Sequence, residues 1–135
     1  MVAETEVILR LVLAAIAGGI IGYERKTSNK PAGIRTLMLI SFGAALFASI
    51  STSAFSSADP SRIAAGIVTG IGFLGAGTIF RAKDHVKGLT TAASMWVVAA
   101  IGLSISVGLY LLSAVSVILV IVILQLNKIK FLREV

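Results

Sequence analysis

Between Arg62 and Arg81 the chain runs without an ionisable side chain, yet it carries Gly66, Gly70, Gly72, Gly75 and Gly77. Glycine costs about 1 kcal/mol against alanine in a water-exposed helix, so five of them would undo a soluble one. In lipid a helix is compulsory, because no water is present to satisfy backbone groups. Small residues there let two helices approach closely. At about 100° per residue, Gly66, Gly70 and Gly77 fall within roughly 40° of one another. Gly72, Gly75 and Ala76 line a second strip. A helix smooth on two sides is expected to be packed on two sides, as the central helix of a membrane bundle.

The spacing Gly70-x-Gly72-x-x-Gly75 also matches the dinucleotide-binding fingerprint. That motif needs a preceding strand, a turn and an acid about twenty residues on. Here the flanks are apolar and the next acid, Asp84, follows nine residues after Gly75. The nucleotide reading fails on context.

Composition points the same way. Of 135 residues 57% are hydrophobic and 13% charged, where a soluble domain carries about 25% charge. The expected fold is all-α, a polytopic bundle forming a single transmembrane domain over residues 1–135, with no separate soluble domain. Without cysteine there is neither a disulfide nor a thiolate metal site. The acidic start Met1–Glu6 is wrong for a signal peptide. The net charge of +6 comes from basic residues clustered at helix ends. That pattern speaks for topology and anionic headgroups rather than nucleic acid.

Hydropathy and punctuation place spans at about 7–22, 36–55, 62–80, 90–106 and 109–126. The last two divide a charge-free stretch, Thr90 to Asn127, at a break bracketed by Gly102 and Gly108. With the N-terminus outside, the inner side holds Arg25, Lys26, Lys30, Arg35, Arg81, Lys83, Lys87, Lys128, Lys130 and Arg133, and the outer side only Arg10 and Arg62. This bias favours five spans, N-out and C-in. An offset of 55 residues aligns Gly33–Thr36 with Gly88–Thr91, Ala44–Ala45 with Ala99–Ala100 and Ser49–Ser51 with Ser104–Ser106. Two parallel helical hairpins would produce this, as would chance in a sequence rich in Gly, Ala and Ser.

No acid, lysine, arginine or histidine is expected deep in a span, which counts against a carboxylate relay of the kind transporters use. One histidine and no cysteine allow no nucleophile–base–orienter set, so no enzyme, metal site or cofactor is expected. The candidate site is the inner surface. The second and fourth helices both start there, and a helix start offers unpaired N–H groups and about half a positive charge. Thr36, Thr90 and Thr91 stand at those starts, with Arg35, Arg81, Lys83 and Lys87 around them. Together they suit a phosphate or carboxylate. Glu24 is expected to pair with Arg35 in a closed form. The plainer alternative is helix capping by Thr36 and Thr90, with the cations on lipid phosphates. Gly18 and Gly22 give the first span a small-xxx-small face. These faces together predict a homo-oligomer.

Several blocks resemble the transmembrane part of the MgtC/SapB family: Gly22-YE-Arg25, Ala32-GIR-Thr36, Asp59-PSRIAA-Gly66, Gly70-IGFLGA-Gly77 and Gly88-LTTAASMWVVAAI-Gly102. The resemblance implies a bacterial inner-membrane protein tied to magnesium limitation, stress and virulence. It implies a regulator acting through other membrane proteins, in one branch the proton-driven ATP synthase, with a small divalent-cation transporter or channel as the alternative. Two departures stand out. Many relatives have glutamine where Gly66 stands, and many carry a C-terminal soluble domain with no counterpart here. Residues carried over from the motifs are Glu24, Arg25, Arg35, Asp59, Arg62, Thr90, Thr91 and Trp96, the last as a helix-packing residue.

Overall fold

The computed structural model describes residues 3–55, 59–82 and 85–126. Among them, five helices follow in order: α1 (Glu4–Thr27), α2 (Ile34–Ala54), α3 (Ser61–Ala76), α4 (Leu89–Ser106) and α5 (Tyr110–Gln125). A small antiparallel hairpin, β1 (Phe80–Ala82) and β2 (His85–Lys87), joins α3 to α4. The all-α expectation holds for the bundle, with this short hairpin added to it among the described residues. Phe80-Arg81-Ala82 and His85-Val86-Lys87 alternate apolar with basic at period two, a strand pattern too short to stand out in sequence.

Acids open α1 (Glu4, Glu6) and bases close it (Arg25, Lys26), which complements the helix dipole at both ends. The helix therefore runs through Tyr23–Thr27, a stretch expected to be loop. It ends where the Thr27 hydroxyl and the Ser28 amide both donate to the Glu24 carbonyl, at 2.8 and 3.0 Å. Asn29 then takes a left-handed conformation, φ 53°, which asparagine tolerates better than most residues.

The centre is formed by α1, α2 and α4. Ile21, Leu37 and Val98 are fully buried there among alanines such as Ala14, Ala45 and Ala99. Glycines set the spacing. A Cβ at Gly18 would lie 2.3 Å from the Leu37 carbonyl oxygen, and one at Gly22 would lie 2.6 Å from the Cα of Ile34. One at Gly102 would lie 2.1 Å from the Ser41 carbonyl oxygen. Backbones this close allow Cα–H···O contacts, each worth about 0.5–1 kcal/mol. Gly102 is thus an interior packing residue of α4. The turn between α4 and α5 is made by Gly108 alone, at φ 83°.

The glycine-rich helix is not central, and that expectation is corrected. Among the described residues Gly75 is the only buried position of α3, where a Cβ would touch Ala92 of α4 at 3.4 Å. A Cβ at Gly66, Gly70 or Gly72 would meet nothing within 4 Å, and one at Gly77 would meet only α3's own carbonyl oxygens. A smooth face permits close approach but does not compel it. Here α2 and α3 splay apart around an apolar groove of about 500 Å³, lined by Leu39, Gly43, Phe47, Gly66, Gly70 and Ile71 among others. Trp96 lies half-exposed on the outside of α4 and is not a packing residue of the centre.

Helices α1, α2 and α4 are long and apolar enough to cross a bilayer. At 1.5 Å per residue, the 16 residues of α3 and of α5 give about 24 Å, short of the roughly 30 Å hydrocarbon core. Large apolar side chains such as Leu39, Phe47, Phe73 and Leu111 face outward. That is the arrangement of a bundle whose solvent is lipid.

Candidate functional site

The end of α1, the starts of α2 and α4, and the hairpin all meet at one basic end of the bundle. Neither start is capped by a side chain: the N-cap residues are Gly33 and Gly88. Thr36 and Thr90 are not caps. They stand exposed in the first turns, while Thr91 is buried. Gly88 sits at φ 92°, and a Cβ on it would lie 1.9 Å from the Thr78 carbonyl oxygen. A backbone left-handed at a point of contact is where glycine is required, and it clips the end of α3 to the start of α4.

Two shallow hollows flank the turn Asn29–Lys30–Pro31. One, of about 770 Å³, is lined by Lys26, Lys30, Gly33, Arg35 and Thr36. The other, of about 510 Å³, is lined by Lys30, Phe80, Val86, Lys87, Thr90 and Thr91. Arg35, Arg81 and Lys87 are exposed, and none of them makes an ion pair or side-chain hydrogen bond with another described residue. Lys83 and the tail beyond Leu126 lie outside the described residues.

The expected Glu24–Arg35 pair is corrected. Arg25 Nε donates to Glu24 Oε2 at 2.7 Å, and Ser28 Oγ donates to Glu24 Oε1 at 2.8 Å. Glu24 and Arg25 are 6% and 2% exposed, so the bundle does bury charge near its basic end. The pair is adjacent in sequence and sits in the last turns of α1, close to where Gly22 meets the start of α2. Arg25 Nη1 is buried with no hydrogen-bond partner among the described residues, as are Ser41 Oγ and Ser49 Oγ. Also among the described residues, no three His, Cys, Asp or Glu side chains gather as metal ligands.

At the opposite end, Asp59 holds the start of α3. The Ser61 amide donates to Oδ1 at 2.9 Å and its hydroxyl to Oδ2 at 2.7 Å. These bonds hold the Asp59 carboxyl below its ordinary range. Arg62 is exposed beside it.

Sequence reasoning missed the clasp formed by Arg10. Its Nη1 donates to the Ser106 carbonyl at 2.6 Å and its Nε to the Tyr110 hydroxyl at 3.1 Å. Its Nη2 pairs with Glu6. A cation on the last turn of α4 complements that helix's dipole. The usable signal was the Glu6/Arg10 spacing of four, which favours a fixed rather than a snorkelling arginine.

Residues 11–130 match the MgtC family. This chain belongs to that family. It is 47% identical over 128 residues to the "Putative magnesium transporter YhiD" of Escherichia coli K12, covering 89% of this chain and 60% of that protein. It is 44% identical over 108 residues to "Protein MgtC" of Brucella abortus strain 2308, covering 80% and 45%. With "Protein MgtC" of Salmonella typhimurium LT2 it shares 48% over 101 residues, covering 75% and 43%. The chain therefore spans from under half to three-fifths of these relatives. No solved structure matches it. Apolar helices and these family members together mark a bacterial membrane protein of the MgtC family.

Proposed function

We propose that this chain is the membrane part of a multi-pass inner-membrane regulator in adaptation to magnesium limitation and envelope stress. It acts without catalysis, through its basic end, on other membrane proteins or anionic lipid. The observation that carries this reading is the closed centre. At Gly18, Gly22 and Gly102 the backbones of α1, α2 and α4 touch, which leaves the axis filled by atoms rather than by a polar path. Arg35, Arg81 and Lys87, unpaired among the described residues, stand exposed at one end, where with Thr36 and Thr90 they suit phosphate or carboxylate. A partner such as the proton-driven ATP synthase fits the same reading.

The orientation proposed is five spans, N-out and C-in, from the bias of the basic residues. Cysteines at Asn29 and His85 should then be shielded from an impermeant thiol reagent in intact cells. One at Ser57, outside the described residues, should be labelled. Self-association is proposed through the open small-residue faces of α3, and a monomeric mass in nanodiscs would refute it.

Transport is the second reading. The buried, unpartnered hydroxyls of Ser41 and Ser49 favour it, as does the printed name of the Escherichia coli relative. Purified protein in sealed vesicles, given a magnesium gradient, decides between the two. The regulator reading expects uptake no faster than protein-free vesicles, and uptake that saturates with magnesium would overturn it.

A further inference from the structure

Among the described residues, nothing covers the β1–β2 hairpin. Phe80 and Val86 are each about half exposed, and Arg81, His85 and Lys87 are exposed as well. Its register pairs Phe80 with Lys87 and Arg81 with Val86. Directly opposed residues project to the same side of a two-stranded ribbon, and neighbouring pairs project to opposite sides. One side thus carries Phe80 beside Lys87, with the Ala82–His85 pair, and the other carries Val86 beside Arg81. A lone two-stranded hairpin of this size is marginal in water at best, so this one needs an environment that takes both kinds of group.

Its base is fixed. The Thr78 hydroxyl donates to the Gly75 carbonyl at 2.8 Å and the Ile79 amide to the Ala76 carbonyl at 3.0 Å. Gly88 rests on the Thr78 carbonyl. The hairpin therefore cannot swing away from the level at which α4 begins. Helix α4 is long and apolar enough to span the bilayer, and its first residue, Leu89, is exposed. In a bilayer spanned by α4, that level is where the acyl chains meet the headgroups. Lys30 shares the hollow beside Phe80 and Lys87 and adds a further cation.

We infer that the β1–β2 hairpin is an interfacial lipid-binding element, in which Phe80 and Val86 enter the acyl–headgroup boundary while Arg81 and Lys87 hold the phosphates of anionic lipid. The occupant is a lipid layer and not a protein, because the membrane is the one neighbour that a hairpin tied between α3 and α4 meets in every state of the protein. The inference rests on the reading of the basic end given above and assigns its lipid contact to one segment.

The sequence has no cysteine, so Phe80→Cys and, separately, Val86→Cys can each carry a single polarity-sensitive fluorophore. The full chain is placed in vesicles of phosphatidylcholine, with or without phosphatidylglycerol, that contain a lipid with a shallow nitroxide quencher. The expected result is blue-shifted emission and strong shallow quenching at both sites. Adding Arg81→Gln and Lys87→Gln should weaken the preference for phosphatidylglycerol by roughly 25-fold, at about fivefold per cation removed. Emission typical of water, open to an aqueous quencher, would overturn the inference. So would a shielded label indifferent to lipid charge and to both substitutions, since a protein surface would then cover the hairpin. Magnesium uptake is followed in the same vesicles. Uptake would refute the regulator reading without touching the hairpin result, and a silent hairpin would leave the uptake result standing.

Discussion

The carbonyl oxygen of Ser41 in α2 occupies the place that a side chain would take at Gly102 in α4. A Cβ built on Gly102 would lie 2.1 Å from that oxygen, and one built on Gly18 of α1 would lie 2.9 Å from the Cβ of Ser41. Three helices thus meet on one residue that is itself fully buried.

Substitution at this point should be costly in proportion to the backbone movement it forces. Gly102→Ala and Gly18→Ala are each expected to cost about 1–3 kcal/mol, the usual range for overpacking a tight interior. Gly66→Ala and Gly70→Ala should be neutral within about 0.5 kcal/mol in a monomeric preparation, because nothing stands within 4 Å of the added carbon. Thermal unfolding of the four variants in one mild detergent measures the contrast. Equal losses at all four would mean that α3 packs more tightly than described.

Part of this was legible in the sequence. The Gly18/Gly22 spacing on α1 marks a real contact, one turn of helix meeting Leu37 and then Ile34. The offset of 55 residues paired Gly33 with Gly88, and these are the N-cap residues of α2 and α4. The glycine-rich run misled because spacing shows that a helix can be approached, not that a neighbour does so. The burial of Arg25 was hidden for a different reason. Beside Lys26 and Lys30 it looks like one more solvated cation, and its burial comes from tertiary packing that a sequence pattern does not display. Arg10 looked like one of two stray outer-side cations because its acceptor, the Ser106 carbonyl, is backbone and leaves no trace in side-chain chemistry.

Arg10 should therefore act as a structural tie between α1 and the α4–α5 turn. Arg10→Gln removes a charge-assisted bond to Ser106, typically worth about 1.5–3 kcal/mol, and releases Glu6 and Tyr110. Tyr110→Phe removes a single hydroxyl partner and should cost about 0.5–1.5 kcal/mol. Hydrogen exchange is expected to rise at the end of α4 and the start of α5 in Arg10→Gln. A loss confined to the first turn of α1 would contradict the tie.

The start of α3 should weaken in acid. Hydrogen bonds from the Ser61 hydroxyl, and then from its amide, lower the Asp59 carboxyl below its ordinary range. The unfolded segment therefore binds the proton more readily than the folded one. Stability from this cap is fully present above the ordinary carboxylate pKa and is lost as pH falls through the lower, folded value. Amide protection at Ile63–Ala65, corrected for intrinsic exchange, should drop over that acid range in the wild type. In Asp59→Ala it should already be low and flat with pH. A matching acid-dependent drop in Asp59→Ala would place the titrating group elsewhere.

Glu24 and Arg25 allow the sharpest test of the basic end. Arg25 has its Nε on Glu24 and its Nη1 without a partner among the described residues, inside a bundle that leaves it 2% exposed. Breaking a buried pair by removing one partner costs about 3–5 kcal/mol, because the other charge is left uncompensated. Glu24→Gln should therefore destabilise by about 3 kcal/mol, whereas Arg35→Gln, which is exposed, should stay within about 0.5 kcal/mol. The double variant Glu24→Gln/Arg25→Met removes both charges and should recover more than half of the loss, a non-additivity that a double-mutant cycle isolates. Anions provide the second arm. With Glu24 neutral, Arg25 becomes the strongest unmet cation at this end. Phosphate, compared with chloride at matched ionic strength, should then raise the unfolding temperature of Glu24→Gln more than that of the wild type. The effect should vanish in the double variant. An equal response to phosphate in all three proteins would show that the exposed cations alone bind it, and that Arg25 serves only the packing of α1.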